Sequence, residues 1–201
     1  MYTLLIIIVT AIISIAAFSS SSLIDKLILW PSRMNNPVQY YRFISHGFIH
    51  ADWGHLFFNM FALYFFGTIT ENQFASEGMG GIVYIIFYLS AIVIAALPSY
   101  MKRRKNYYYR SLGASGGVAA VLFATVYFTP LSKIFIMFIP IGIPSVIFGV
   151  AYLVYSAYMS KRGGTNVNHD AHFWGSVYGF LIAWLIDPTH RQFIDQLMNR
   201  Q

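Results

Sequence analysis

The sequence predicts an all-α membrane protein, a bundle of six transmembrane helices joined by a long interfacial first loop, and three observations carry that prediction. Of the 201 residues, 57% are hydrophobic and 10% charged, against about 25% charged in soluble domains. The charged residues are gathered between long apolar runs, so the hydrophobicity comes in membrane-spanning lengths and is not spread around a soluble core. Helix is the expected local state of these runs, since lipid satisfies no backbone hydrogen bonds. There is no cysteine, which excludes a disulfide framework, a thiol nucleophile and a thiolate metal site. The formal charge of +6 sits in loops beside apolar runs, where anionic lipid head groups are the expected partner and nucleic acid is not.

The first expected span covers residues 2–18. The serine run Ser19 to Ser22 after it resembles a cleavage site, but no basic segment precedes the apolar stretch, so a retained first helix is expected. Residues 19–54 mix Trp30, Pro31, Asn35, Asn36 and Pro37 with short apolar patches, the pattern of a partly ordered interfacial connection. Further spans are placed at 55–69, 81–97, 113–128, 145–159 and 171–186, with residues 134–143 as a short interfacial approach among Pro130, Pro140 and Pro144. Residues 187–201 read as a soluble tail. One domain over 1–201 is expected.

Ionisable residues within spans are functional candidates by default. All seven carboxylates lie in loops or at span ends, which leaves no buried acid pair for aspartyl chemistry and no acidic proton relay. The HExxH signature is absent. Serine, histidine and asparagine remain. Ser115, in Ser111-Leu-Gly-Ala-Ser115-Gly116-Gly117, falls in the first turn of a helix, where free N–H groups and the dipole favour a developing anion. Gly113-xxx-Gly117 also matches a helix-packing motif, so packing and catalysis are both open for this segment. His172, Gly175 and Gly179 share one helix face. A histidine on such a smooth stripe can approach a partner helix closely; the plain alternative is an interfacial residue at a span end. His55 and Asn59 stand at i and i+4 on an otherwise aromatic helix. They suit oxyanion stabilisation or, more simply, an interhelical hydrogen bond. His46, His50, His55, His169 and His172 with Asp52 could supply metal ligands, but no metalloprotease motif contains them, and no metal or other cofactor is expected. Asp170 lies on another face from His172, so the candidate pair is a dyad without the acidic member of the triad template.

Taken in order, His46-xxx-His50-xxxx-His55-xxx-Asn59, Gly113-Ala-Ser115-Gly116 and Ala171-His172-xx-Gly175-xxx-Gly179 resemble the rhomboid family of intramembrane serine proteases. Gln39, Tyr41 and Arg42 look like the aromatic-arginine element of that family's first loop. The resemblance implies Ser115 as nucleophile and His172 as its base. His55, Asn59, Gly113 and the Ser115 N–H would stand around the oxyanion, with His50, Arg42, Gly116, Gly175 and Gly179 supporting the site. It also implies transmembrane protein substrates, single-pass or other, cleaved in or near the membrane at a water-filled cavity.

Two departures qualify the likeness. Ala119 stands four residues after Ser115, where bacterial relatives often place a tyrosine that stacks on the base, so Trp174 or a nearby tyrosine would have to orient His172. Ten of the 13 Lys and Arg residues lie in the first, third and fifth loops. The positive-inside rule then puts the active-site face in the cytoplasm, whereas bacterial family members place it outside. A bacterial cytoplasmic membrane is the expected location. A catalytically silent client-binding relative is the competing function, and a transporter is disfavoured by the lack of buried carboxylates and of paired broken helices.

Overall fold

A computed structural model describes residues 1–135, 141–187 and 191–198. The described chain is mostly helical. Its helices are α1 (Tyr2–Phe18), α2 (Ser21–Leu27), α3 (Arg42–Ser45), α4 (Trp53–Ser76), α5 (Gly81–Arg103), α6 (Ser115–Phe128), α7 (Ser145–Arg162), α8 (His169–Ile186) and α9 (Arg191–Met198). Two three-residue strands, β1 (Lys133–Phe135) and β2 (Gly142–Pro144), pair antiparallel where a single interfacial approach was expected. By length and hydropathy α5 alone, among the described residues, is long and apolar enough to cross a membrane; α1 and α6 are shorter apolar helices.

Helix α6 is the central post. Every residue from Gly116 to Phe128 is buried, and α4, α5 and α8 pack around it. Small residues make this possible. A Cβ on Gly175 or Gly179 of α8 would overlap the carbonyl oxygens of Gly116 and Ala120, respectively, so α8 lies directly on the α6 backbone. Gly116 meets Ala95 of α5, where an added Cβ would come within 2.6 Å of the alanine methyl.

The outward faces are apolar and the inside carries polar groups. Leu5, Ile8 and Ile12 of α1, Phe57, Phe61 and Phe65 of α4, and Val150 and Val154 of α7 are exposed, whereas Thr3, Thr10, Ser14, Thr70 and Thr125 are buried. Such an arrangement suits an apolar solvent, because the backbone is satisfied within helices and Thr3, Ser14, Thr70 and Thr125 find partners inside the bundle. Glu71 of α4 follows this logic: it accepts hydrogen bonds from the free N–H groups of Tyr2 and Thr3, capping α1 at 2.8 and 2.9 Å.

The first loop is ordered by three tethers. Arg42 is buried and donates through Nη1 to the carbonyls of Asp25 and Ile28, and through Nε to Gln39 Oε1. Leu29 and Ser111 exchange both backbone hydrogen bonds at 3.0 Å. Trp30 is clamped between the guanidinium groups of Arg33 and Arg110, 3.5 and 3.8 Å from its ring, and donates to the Tyr107 carbonyl.

Several boundaries differ from the sequence-based expectation. Pro98 lies inside α5 and does not end it; neighbouring helices can make up for the hydrogen bond a proline removes. Gly113 precedes α6, with φ +117°, so it shares no helix face with Gly117 and the expected packing motif is absent. Gly117 meets Ile92 and Tyr88 of α5 instead. The expected soluble tail contains α9, whose Phe193 stacks on Tyr127 and whose Gln196 donates to the Phe128 carbonyl at the end of α6.

Candidate active site

Ser115 is the first residue of α6, and Ala114 before it supplies no side-chain cap. Amides in the first turn of the helix therefore point outward with the positive end of its dipole. His172 lies in the first turn of α8, one turn above the place where Gly175 touches the Gly116 carbonyl. Both side chains are half-buried and line one cavity of about 720 Å³, walled by α4, α6, α7 and the loop before α8. His55 and Asn59 line the same cavity. No hydrogen bond joins Ser115 to His172 among the described residues.

The histidines of the first loop are kept neutral by burial. His46 donates from Nδ1 to the Arg42 carbonyl at 2.8 Å. His50 Nδ1 donates to Ser14 Oγ at 2.9 Å, Ser14 donates to the Phe48 carbonyl, and His50 Nε2 accepts the Ala114 N–H at 3.3 Å. A single tautomer satisfies that chain, because a carbonyl can only accept and an N–H only donate. Burial pulls the His46 imidazole down to about 4 against the opposing pull of its backbone hydrogen bond. Burial, helped by the charge of His55, pulls His50 down to about 3. Neither histidine is in a helix spaced for joint metal ligation: His46 opens a short 3-10 turn and His50 follows in extended chain.

His55 accepts a long contact from the Ala51 N–H at Nδ1, 3.5 Å, which leaves Nε2 as its donor. The ring stands edge-on to His50 at 4.9 Å. Gly113 lies directly against it: an added Cβ would come within 2.6 Å of His55 Cε1. Asn59 is buried and gives one amide hydrogen to the His55 carbonyl at 2.8 Å; the amide carries a second. Asp52, on the cavity wall, caps α4 by accepting the His55 N–H. Asp170 faces away, bonded to Lys102 and Ser160.

Thus Ser115, His172, His55 and Asn59 come together at the cavity. Gly113 abuts His55, Gly116, Gly175 and Gly179 form the α6–α8 seam, and His50 stands behind Ala114. Arg42 is in the first loop, tying that loop together. Sequence reasoning missed three residues around this group. Asn168 caps α8 by accepting the Ala171 N–H, accepts from Ser99 and donates to Ser111, knotting α5, α8 and the loop before α6. A polar residue just before an apolar run is a cap signal, so its capping role was findable. Ser14 carried no such signal, and Tyr152, whose ring lies beside His172 at 6.1 Å and 20°, is one of the nearby tyrosines that the sequence left unnamed.

A helical bundle with apolar outer faces, and a cavity shared by a histidine and a serine at an uncapped helix N-terminus, defines a class: helical proteins of an apolar solvent that enclose a chamber with a few polar groups in its wall. The Rhomboid domain family matches residues 37–188, and the chain belongs to the rhomboid family, which makes it an integral membrane protein. It is similar to "Rhomboid-like protein 11, chloroplastic" of Arabidopsis thaliana, 30% identical over 169 residues, 78% of this chain and 56% of the relative. "RHOMBOID-like protein 12, mitochondrial" of the same plant is 27% identical over 70% of this chain and 44% of its own. "Rhomboid protein 1, mitochondrial" of Saccharomyces cerevisiae is 29% identical over 73% and 42%. The chain thus spans about half the length of these relatives.

Proposed function

We propose that this chain is an intramembrane serine endopeptidase that cleaves membrane-anchored proteins in or near their transmembrane segment, with Ser115 as nucleophile and His172 as general base. The observation that carries this reading is the convergence of Ser115, His172, His55 and Asn59 on one cavity. Ser115 Oγ attacks the scissile carbonyl while His172 takes its proton and later delivers it to the departing amine; water then completes the cycle against the acyl-enzyme. The oxyanion is received by the Ser115 N–H, His55 Nε2 and the second amide hydrogen of Asn59, each donor worth about 10²–10³ in rate where the site is dry. No acidic partner is needed to hold His172 if a packed ring does so.

In this reading α1, α4, α5, α6, α7 and α8 are the six spans of a single domain, with lipid against their apolar faces. The membrane is that of a bacterial cell or of an organelle such as those for which the relatives are named, and fractionation of cells expressing a tagged chain decides between them.

The test needs no substrate. Detergent-solubilised protein treated with a small fluorophosphonate forms an adduct on Ser115 by mass spectrometry, absent from Ser115→Ala and His172→Ala and formed more slowly in Asn59→Ala. An unmodified Ser115 in folded wild-type protein would overturn the protease reading in favour of a silent client-binding protein.

A further inference from the structure

A general base must hold its ring at one angle to the nucleophile, and His172 has neither a carboxylate to anchor it nor a ring from α6. Ala119, one turn below Ser115, contributes only a methyl and is itself buried. Trp174 is 43% exposed and pairs edge-on with Phe173, so its ring is spent away from His172. Tyr152 of α7 lies nearly parallel to His172 as an offset pair, centroids 6.1 Å apart and planes within 20°, inside the 4.5–7 Å range of favourable ring pairs. Tyr152 is braced in turn, stacked on Phe148 at 6.0 Å and tilted against Phe123 of α6 at 5.9 Å. His169 closes the edge of His172 at 5.8 Å.

From this geometry we infer that Tyr152 is the positioning residue of the dyad: its ring, brought from α7, takes the place that Ala119 leaves open. The inference rests on the protease reading above. Stacking restricts the His172 ring to the plane that faces the cavity. The hydroxyl of Tyr152 has no part in this, so the ring alone should suffice. Nucleophile, base and the ring that sets the base then come from three helices, α6, α8 and α7.

The experiment is the concentration dependence of fluorophosphonate labelling at Ser115 in the full chain, which separates the maximal rate of adduct formation from the concentration that half-saturates it. Tyr152→Phe keeps the maximal rate within about twofold. Tyr152→Leu lowers it about tenfold, because a base free to turn is less often aligned with the nucleophile, with half-saturation unchanged, a split that a damaged cavity wall would not give. If the leucine variant does not fold, Tyr152→Met removes the ring while keeping its length. A ringless, folded variant that labels at the wild-type maximal rate overturns the role of Tyr152 and leaves the protease reading standing. Absence of labelling in the wild type overturns both.

Discussion

Adding a single methyl group at Gly175 tests whether the α6–α8 seam sets the dyad. A Cβ there would stand 3.0 Å from the Gly116 carbonyl carbon and 3.3 Å from its Cα, with the oxygen closer still. All three atoms are backbone, so no side chain can swing aside. Restoring an ordinary carbon–carbon separation of about 3.5–4.0 Å requires the helices to part by roughly 1 Å. In an open helix Gly→Ala would stabilise by up to about 1 kcal/mol, but overpacking of this kind costs about 1–3 kcal/mol, so Gly175→Ala should be net destabilising by up to about 2 kcal/mol. The functional effect should be larger, because Gly175 lies one turn from His172 and a displacement near 1 Å can cost about 10² in rate. The assay is the rate of fluorophosphonate labelling at Ser115, measured beside thermal unfolding in the same detergent. Gly80→Ala, whose methyl would meet nothing within 4 Å, serves as the control. A Gly175→Ala protein that unfolds no earlier than wild type and labels as fast would refute the claim that close helix approach positions the pair.

Three other perturbations have definite expected outcomes. Gly113→Ala imposes φ +117° on a residue with a side chain, costing about 1–3 kcal/mol, and drives its methyl into His55; Ser115 labelling should fall by more than thermal stability, and a wild-type labelling rate would contradict this. Ser14→Ala leaves the His50 Nδ1–H without its acceptor and should cost about 1–3 kcal/mol, read as a lower unfolding midpoint, while Ser14→Thr, which keeps the hydroxyl, should lose less. Acid should destabilise the fold: His46 and His50 titrate near 4 and 3 when folded and near 6.5 when unfolded, so the unfolded chain binds protons first. Their contribution is complete above pH 6.5 and is lost as pH falls towards 4, on the order of 2 kcal/mol each by pH 5; an unfolding midpoint flat between pH 7.5 and 5 would show that these rings are not buried as neutral groups.

The parts of this protein that could be read in its sequence are those fixed by spacing along one helix. His172, Gly175 and Gly179 fall on one face whatever surrounds them, and the last two do meet α6 through its backbone. Ser115 at the start of α6 follows from the glycines and small residues before an apolar run. Features decided by rotation or by distant partners were illegible. Tyr152, Tyr155 and Tyr158 lie three apart along α7, and nothing local says which ring reaches His172. The third span is placed to end at 97, just before Pro98, yet α5 runs on to Arg103, because a proline within a helix can be tolerated where neighbouring helices pack around it. The segment after Asp187 is polar enough to read as tail, yet one ring on Tyr127 and one amide on the Phe128 carbonyl dock its helix. Ser14, in the middle of an unbroken apolar run, gave no sign of a partner 36 residues away.

That last contact bears on how such proteins can be cut and recombined. The family's domain model matches from residue 37, but the hydroxyl that fixes His50, and through it the Ala114 amide beside Ser115, comes from residue 14. A chimera that grafts 37–188 onto a foreign first helix would inherit the serine, the histidine and every glycine of the seam, and would lose the hydrogen bond that sets the loop between them unless the donor helix carries a hydroxyl at the same height. The matched domain and the hydrogen-bonded unit therefore have different edges here, and a transplant should be drawn along the second.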